Sequence, residues 1–274
     1  MAKRILSILL LVAGMLVLGY PFISNYLSAK NSSYATDAYD KTVQGMSEES
    51  LAEFWREAEE YNENLTGSPV HDPFIPGSGI VMPENYYHVL NVDGVMGSLE
   101  IPKINVKLPI YHGTSDEVLQ KSVGHLEGST LPIGGKNRHS VITGHTGLAN
   151  AKIFTDLVEL TKGDVFYIKI LDQTLAYQVD QIKVIEPEET ELLKVVEDQD
   201  YVTLLTCTPY GVNSHRLLVR GVRTDFDGKK QEQVKKTGLT KEQRLLVIAA
   251  VVTTVVMLLL IIGVTLYRKK KMIN

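Results

Sequence analysis

The chain has 274 residues, and its formal net charge of -4 conceals an acidic middle: residues 31–228 hold 30 acidic and 15 basic side chains, a net charge of −15. A domain this acidic excludes nucleic acid as an expected partner, because proteins that bind nucleic acid carry basic faces. The single cysteine excludes an internal disulfide, so packing alone must stabilise the core.

The first element in the chain is an apolar run at residues 5–23, which follows Lys3 and Arg4. Its length is close to the ~20 residues that a membrane-spanning helix needs. We interpret residues 1–24 as a retained signal-anchor in the membrane, because no small-x-small cleavage site follows the run. A cleaved signal peptide is the alternative.

Residues 25–94 are predicted to form a helical region that ends in a long loop. From Ser47 onwards, apolar residues recur at the i, i+3, i+4, i+7 spacing of an amphipathic helix, and Glu48 and Glu49 suit its N-terminus. The Gly-Ser-Pro sequence at residues 67–69 should end this helix. Residues 68–83 then read as a loop with four prolines and two glycines.

The region of residues 95–226 has the pattern of a β-domain. Short alternating runs predict strands at residues 97–101, 106–110, 140–143, 165–171, 175–185, 202–206 and 217–222. Short helices are predicted at residues 116–123 and 151–157. Many short strands with few helices favour a closed or nearly closed barrel.

The C-terminal part of the chain is predicted to return to the membrane. Residues 227–244 read as a basic stalk, which either contacts anionic lipid or wall polymer or is simply solvated. Residues 245–267 are a second apolar run, and residues 268–274 are a basic tail. Two spans place both termini on one side, and the terminal basic clusters predict that this side is the cytoplasm. The domain between them is then outside the cell, since long domains translocate largely regardless of charge.

Cys207 and Arg216 occupy a suggestive position within the β-domain. Cys207 ends one predicted strand, Arg216 begins the next, and turn residues lie between them. The thiol and the guanidinium can therefore converge over one rim. A lone cysteine is usually a small buried apolar residue. A catalytic thiol needs a base or a positive charge nearby to activate it.

His145 is the histidine whose context best supplies that partner. The predicted strand at residues 140–143 runs into Gly144-His145-Thr146-Gly147, a tight exit that would hold an imidazole both fixed and exposed. A single histidine is more often structural than catalytic, but the combination with Cys207 and Arg216 is a stronger signal. No zinc-ligand spacing and no phosphate-binding glycine loop occurs, so neither a metal nor a cofactor is expected.

The sequence TLLTC at residues 203–207 resembles the TLxTC signature of the sortase family. ITGHTGL at residues 142–148 resembles the family's histidine segment, and Arg216 stands where the family keeps its arginine. The similarity extends over residues 97–223 and implies a mainly β fold, an eight-stranded sortase-type β-barrel with short helices. It also implies a transpeptidase that cleaves an LPxTG-like sorting signal between Thr and Gly. On this resemblance Cys207 forms the thioester, His145 protonates the leaving amine, and Arg216 holds the oxyanion or the substrate main chain.

The loop sequence Asp72-Pro73-Phe74 resembles the lid of class C, pilin-polymerising sortases. That resemblance implies that Asp72 contacts Arg216 and that Phe74 covers Cys207. It also implies LPxTG-type pilins and an acceptor lysine of the next pilin subunit as partners, with transfer at the outer face of the membrane. Two alternatives stay open: a sortase that attaches proteins to peptidoglycan, and a non-enzymatic two-span receptor or adhesion module.

Overall fold

The structure, a computed structural model, describes residues 2–65, 70–75 and 82–228, which belong to the first of two compact units, Met1–Gln231. Eight strands within these residues close into a barrel in the order β1-β2-β3-β4-β7-β8-β6-β5. They are β1 Gly97–Ile101, β2 Val106–His112, β3 Val123–His125, β4 Arg138–Thr143, β5 Val165–Ile170, β6 Gln173–Ile185, β7 Asp200–Thr208 and β8 His215–Thr224. The predicted mainly β, eight-stranded barrel is confirmed.

Two of the eight strand pairings are parallel, and one of them decides the position of the candidate site. β2 pairs with β3 and β4 pairs with β7 in parallel, while the other neighbours in the barrel are antiparallel. Parallel neighbours cannot be joined by a tight turn. β4 and β7 are therefore separated in the sequence by β5, β6 and their connections.

Alternation along the strands divides the buried apolar residues into two clusters. The larger cluster includes Val202, Leu204, Leu217 and Val219, whose side chains share the face of β7 and β8 that packs with the main core. The smaller cluster lies on the opposite face. It consists of Leu126, Val141, Ile185, Leu193, Leu205 and Leu218, with Val70 and Phe74 packed against it. Because side chains alternate with period two, Cys207 shares the face of Leu205.

Three α-helices precede or interrupt the strands in the described part of the chain: α1 Ala2–Gln44, α2 Glu48–Asn64 and α3 Asp116–Leu119. Ser47 caps α2 as predicted, with its hydroxyl accepting the N–H of Ser50 at 3.2 Å. The apolar stripe of α2 faces the barrel, where Ala58 and Tyr61 are buried. Trp55, the only tryptophan of the chain, donates to Asp172 at 2.9 Å.

Helix α1 is fixed to the barrel at its C-terminal end. The Tyr39 hydroxyl accepts the N–H of Leu171 at 2.7 Å and donates to the carbonyl of Met96 at 3.2 Å. Two ion pairs, Asp37 with Lys107 at 3.0 Å and Asp40 with Lys169 at 2.7 Å, flank this contact. The segment of residues 25–45, for which the sequence suggested helix, thus belongs almost entirely to a helix that packs on the barrel.

Two predicted helices differ from the structure. The helix predicted at residues 116–123 is only the short α3, and its last predicted residue, Val123, begins β3, whose three residues are all buried. No helix forms over residues 151–157: these residues fold as turns, and a 3-10 helix begins only at Leu157. Ala151, Ile153 and Phe154 are each buried, so packing of single side chains overrides the helical pattern.

Among the described residues, no helix is long and apolar enough to span a bilayer. The predicted C-terminal span at residues 245–267, the basic tail and nearly all of the predicted stalk fall outside the described residues. So do residues 66–69 and 76–81, which include parts of the predicted loop.

Two buried histidines tie strands β3 and β4 to neighbouring segments through their neutral rings. His125 contacts the Tyr86 hydroxyl at 3.0 Å through Nδ1, and its Nε2 donates to the carbonyl of Thr130 at 2.9 Å. His139 donates from Nδ1 to the carbonyl of Lys194 at 2.8 Å, and its Nε2 lies 2.7 Å from the Thr203 hydroxyl. Burial is the main cause that lowers the pKa of each imidazole to about 4.

We expect this pair to make the barrel acid-sensitive. In the unfolded chain both histidines protonate near pH ~6.5, whereas in the folded chain they stay neutral until about pH 4. Each histidine therefore contributes on the order of 3 kcal/mol to the free energy of unfolding above pH ~6.5. This contribution is lost as the pH falls from ~6.5 to about 4. Chemical denaturation at several pH values, followed by Trp55 fluorescence, measures this slope. His139→Gln should flatten it, while His88→Gln, at an exposed position, should not.

Candidate active site

The strand register places Cys207 between the two side chains that the sequence paired with it. On one side, Cys207 is the antiparallel partner of Arg216. On the other side, the parallel pairing of β4 with β7 ends at Thr143 and Leu205, and His145 follows Thr143 by two residues, as Cys207 follows Leu205. Since side chains repeat their direction every two residues, the imidazole and the guanidinium flank the thiol on one face.

A turn from the loop before the barrel covers this face. Asp72 opens the turn, Pro73 fixes the following φ angle, and the Asp72 carboxylate accepts the N–H of Phe74 at 2.8 Å. The other carboxylate oxygen lies 2.5 Å from Nε of Arg216, and both side chains are almost fully buried. The predicted contact between Asp72 and Arg216 is therefore present in the structure.

The Phe74 ring bridges the two side chains that flank the thiol. Its centroid lies 5.2 Å from the centroid of the His145 ring and 5.2 Å from Cζ of Arg216. These distances are typical of aromatic and cation–π contacts. Cys207, the strand partner of Arg216, is 7% exposed. The five residues that the sequence singled out, Cys207, His145, Arg216, Asp72 and Phe74, thus lie together.

The electrostatics of this covered site keep both reacting groups neutral. Burial raises the pKa of the Cys207 thiol to about 11, Arg216 opposes this rise, and the Asp72 carboxylate adds to it. Burial lowers the pKa of the His145 imidazole, with Asp116 acting in the opposite direction. Burial likewise raises the pKa of Asp72, against the Phe74 N–H and Arg216. With Asp72 in place, the thiol is a weak nucleophile at neutral pH.

Arg216 is held in place by main-chain carbonyls of its own segment as well as by Asp72 of the covering turn. Its Nη1 donates to the carbonyl of Asn213 at 3.1 Å, in the turn before β8, and to that of His215 at 3.0 Å, the first residue of β8. His215 turns to the opposite face, as the alternation predicts, where its Nε2 lies 3.1 Å from Glu186. The guanidinium is thereby fixed beside the thiol without depending only on Asp72.

Thr206 is a residue whose contribution to the site the sequence analysis missed. Its hydroxyl, buried beneath Cys207, donates to the carbonyl of Gly144 at 2.7 Å. Gly144 directly precedes His145, and a Cβ there would come within 3.0 Å of Ile153, Phe154 and Val123. This contact ties the strand of the thiol to the segment of the imidazole. The sequence pattern that could have indicated this contact is the strand alternation, which turns the side chain of Thr206 to the face opposite Cys207, towards the core.

The loop that begins at His145 also folds back on itself. Phe154 donates its N–H to the carbonyl of His145 at 3.0 Å, and Gly147, at φ +74°, allows the tight turn between them. The main chain that carries the imidazole is therefore held by hydrogen bonds at Gly144 and at His145. A thiol, an imidazole and a guanidinium on a fixed scaffold suit acyl transfer through a cysteine thioester.

Three of the other histidines have structural contacts within the described part of the chain. His112 bonds to the carbonyl of Val89 at 2.7 Å, and His125 and His139 are the buried ring pair of the barrel. In the ranges that the structure covers, no group of three or more His, Cys, Asp or Glu side chains is arranged to hold a metal ion.

Comparisons with known proteins agree with this geometry. The family model of the sortase domain matches residues 99–224. Sortase C-1 from Streptococcus pneumoniae is 46% identical with a TM-score of 0.68, and the match covers 71% of this chain and 100% of that one. Sortase C-1 from Actinomyces oris is 50% identical with a TM-score of 0.63, covering 65% of this chain and 99% of that one. A pilus-related sortase C of Group B Streptococcus is 44% identical with a TM-score of 0.66, and the match covers 70% of this chain and 98% of that one.

Proposed function

Because the chain belongs to the sortase family of cysteine transpeptidases and its solved relatives are class C sortases, we propose that it polymerises pilin subunits at the cell membrane. It cleaves an LPxTG-like sorting signal between Thr and Gly and transfers the new acyl group to a lysine amine of the next pilin. The observation that carries this choice is the turn of Asp72 and Phe74 on Arg216 and His145. The pilus-related relative supports it.

The proposed reaction has two acyl-transfer steps. In the first, the Cys207 sulfur attacks the Thr carbonyl carbon, and the thiol proton passes through His145 to the Gly nitrogen as the C–N bond breaks. In the second, the lysine nitrogen attacks the thioester carbon, the C–S bond breaks, and the amine proton returns through His145 to the sulfur. Arg216 stabilises the oxyanion that forms in each step.

The lid has an electrostatic role in this proposal as well as a steric one. While Asp72 is paired with Arg216, its negative charge disfavours the Cys207 thiolate and occupies the cation that would favour it. When a substrate displaces the turn, the thiol gains the field of Arg216 without the opposing carboxylate. The pKa of Cys207 then falls, so the nucleophile is activated only when the site is open.

The membrane location is part of the same proposal. It rests on the apolar runs of residues 5–23 and 245–266 and on the basic residues that flank both. The catalytic domain then lies outside the cell with both termini in the cytoplasm, and the basic stalk of residues 227–244 faces anionic lipid or wall polymer.

We expect the purified full chain to join two peptides through an isopeptide bond. One peptide carries an LPxTG-type sorting signal and the other carries a lysine from a pilin, and mass spectrometry detects the joined product. A matched acceptor with the lysine replaced by arginine should give only hydrolysis. Transfer to a peptidoglycan stem-peptide amine in preference to the pilin lysine would instead support the anchoring type of sortase.

We expect Asp72→Ala combined with Phe74→Ala to expose and activate the thiol. Losing about 1.4 kcal/mol of lid closure raises a small open fraction roughly tenfold, and removal of the carboxylate lowers the pKa of Cys207. The measurement is the rate of Cys207 alkylation by a small reagent as a function of pH. The double variant should react faster, with its midpoint at lower pH. His71→Ala, an exposed neighbour in the same segment, is the control. Superimposable profiles would mean that the turn is only a connector.

A further inference from the structure

Helix α1 has an exposed face that is unusually apolar for a surface in contact with water. The large apolar or aromatic side chains that are about half exposed or more on this helix are Val17, Tyr20, Phe22, Ile23, Tyr26, Leu27 and Tyr34. The exposed face of a helix on a soluble domain is normally polar, while its apolar face packs on the core. Here the face that packs on the barrel carries the buried polar Ser32 and Thr36 as well as the buried Tyr39 and Val43, so the usual division into a polar outer face and an apolar inner face is absent.

The chemistry of the exposed face changes along the helix in one direction. It continues directly from the apolar run of residues 5–23 and is rich in tyrosine up to Tyr34, where Lys30 lies 5.6 Å above the ring. Beyond that point the exposed positions carry no large apolar side chain and include the charged Asp37 and Lys41. Membrane proteins show the same order from the bilayer core outwards: apolar residues come first, amphipathic aromatic rings lie in the headgroup layer, and charged residues follow.

We propose that the exposed face of α1 from Ser24 to Tyr34, directly outside the apolar run of residues 5–23, lies in the headgroup layer of a lipid bilayer and holds the barrel against the membrane surface. This inference rests on the membrane location in the proposed function and adds to it. A groove of about 420 Å³ with a mixed polar and apolar lining, which includes Leu27 and Tyr111, lies between α1 and the barrel. Hydroxyl and amide groups and Lys121 line it.

The same helical segment fixes which end of the barrel faces the membrane. The Ser24 hydroxyl, within this segment, donates to the carbonyl of Asn150 at 3.2 Å. Asn150 belongs to the loop that starts at His145 and folds back on it. The opposite end of β4, at Arg138, is about 20 Å away along the strand. The reactive end of the barrel is therefore the membrane-proximal end, which suits a substrate still held in the bilayer beside its sorting signal.

Depth measurements on the full chain test this orientation. In a Cys207→Ala background, a new cysteine is introduced singly at Tyr26, Asp37, Ala149 or Lys136 and labelled with an environment-sensitive fluorophore. The chain is reconstituted in vesicles of equal parts phosphatidylcholine and phosphatidylglycerol, with or without brominated acyl chains. Tyr26 and Asp37 share one helix face but lie about 16 Å apart along the axis, so they form a matched pair.

We expect quenching by brominated lipid to be several times stronger at position 26 than at position 37. Position 149 should show more quenching than position 136, which lies at the other end of β4. Equal quenching at 26 and 37 would overturn the placement of the face, and stronger quenching at 136 than at 149 would overturn the orientation. A chain that does not float with the vesicles overturns both. The readout involves no catalysis, so transpeptidation by the unmodified chain can succeed when this inference fails.

Discussion

Replacing Cys207 with alanine is expected to abolish cleavage of a sorting-signal peptide and to remove any acyl-enzyme. The proposed reaction has no other nucleophile in the site, and the thioester cannot form without the sulfur. The fold should survive, because one small side chain at the edge of the barrel is truncated, a change that costs about 1 kcal/mol. Mass spectrometry of the enzyme after incubation with peptide detects the adduct in the unmodified chain.

The thermal transition, followed by Trp55 fluorescence, separates loss of chemistry from loss of fold. Cys207→Ser is the conservative control: it keeps the shape of the site and should form at most a trace of adduct. Full turnover by Cys207→Ala would reject the proposed mechanism, and with it the assignment of the covered face as the active site.

Arg216→Ala is expected to lower the rate of peptide cleavage by a factor on the order of 10²–10³, the usual effect of removing an oxyanion donor. The substitution also leaves the buried Asp72 carboxylate without its cation, which is strongly unfavourable and should release the lid. Cys207 should therefore become more accessible to a small alkylating reagent even though catalysis is lost. Opposite changes in access and turnover are the signature of a group that both holds the lid and stabilises the transition state.

Arg220→Ala is the matched control for this experiment. Arg220 lies four pairs of the strand ladder away on the same face of β8, where it pairs with Asp180 at 2.6 Å and stacks over Tyr201. Its removal should leave peptide cleavage within about twofold, since its partners are Asp180 and Tyr201 and not the thiol or the lid. Cleavage by Arg216→Ala within the same range would remove Arg216 from the catalytic set.

The strands could be predicted from the sequence because their signal is local. Period-two alternation places β1 at its observed bounds and the other long strands within a few residues of them. β3 escaped prediction because three residues are too few for a periodic pattern, and its pairing partners lie in β2 and β4. The helix predicted at residues 151–157 failed for the opposite reason: its periodic apolar residues pack singly into the core instead of along one helical face.

The contacts within the site were predictable to different degrees. The position of Arg216 beside Cys207 was predictable, because Cys207 ends one predicted strand, Arg216 begins the next, and only a turn lies between them. The pairing of Asp72 with Arg216, 144 positions apart in the chain, came only from the resemblance to class C sortases, because no local pattern reports such a contact. The contact of Thr206 with Gly144 depends on the parallel register of β4 and β7, which sequence alternation alone cannot set.

The hydrogen bond between Thr206 and Gly144 also determines when a newly made chain becomes reactive. The two residues are 62 positions apart, and the long hairpin of β5 and β6 lies between them. Contacts of such large sequence separation lose more chain entropy on closing than neighbouring hairpins do, and they form late in folding. The thiol and the imidazole therefore meet only when the barrel closes. A chain that is still folding carries an isolated, unactivated cysteine, so acyl-transfer chemistry begins only after the last long-range pairing is complete.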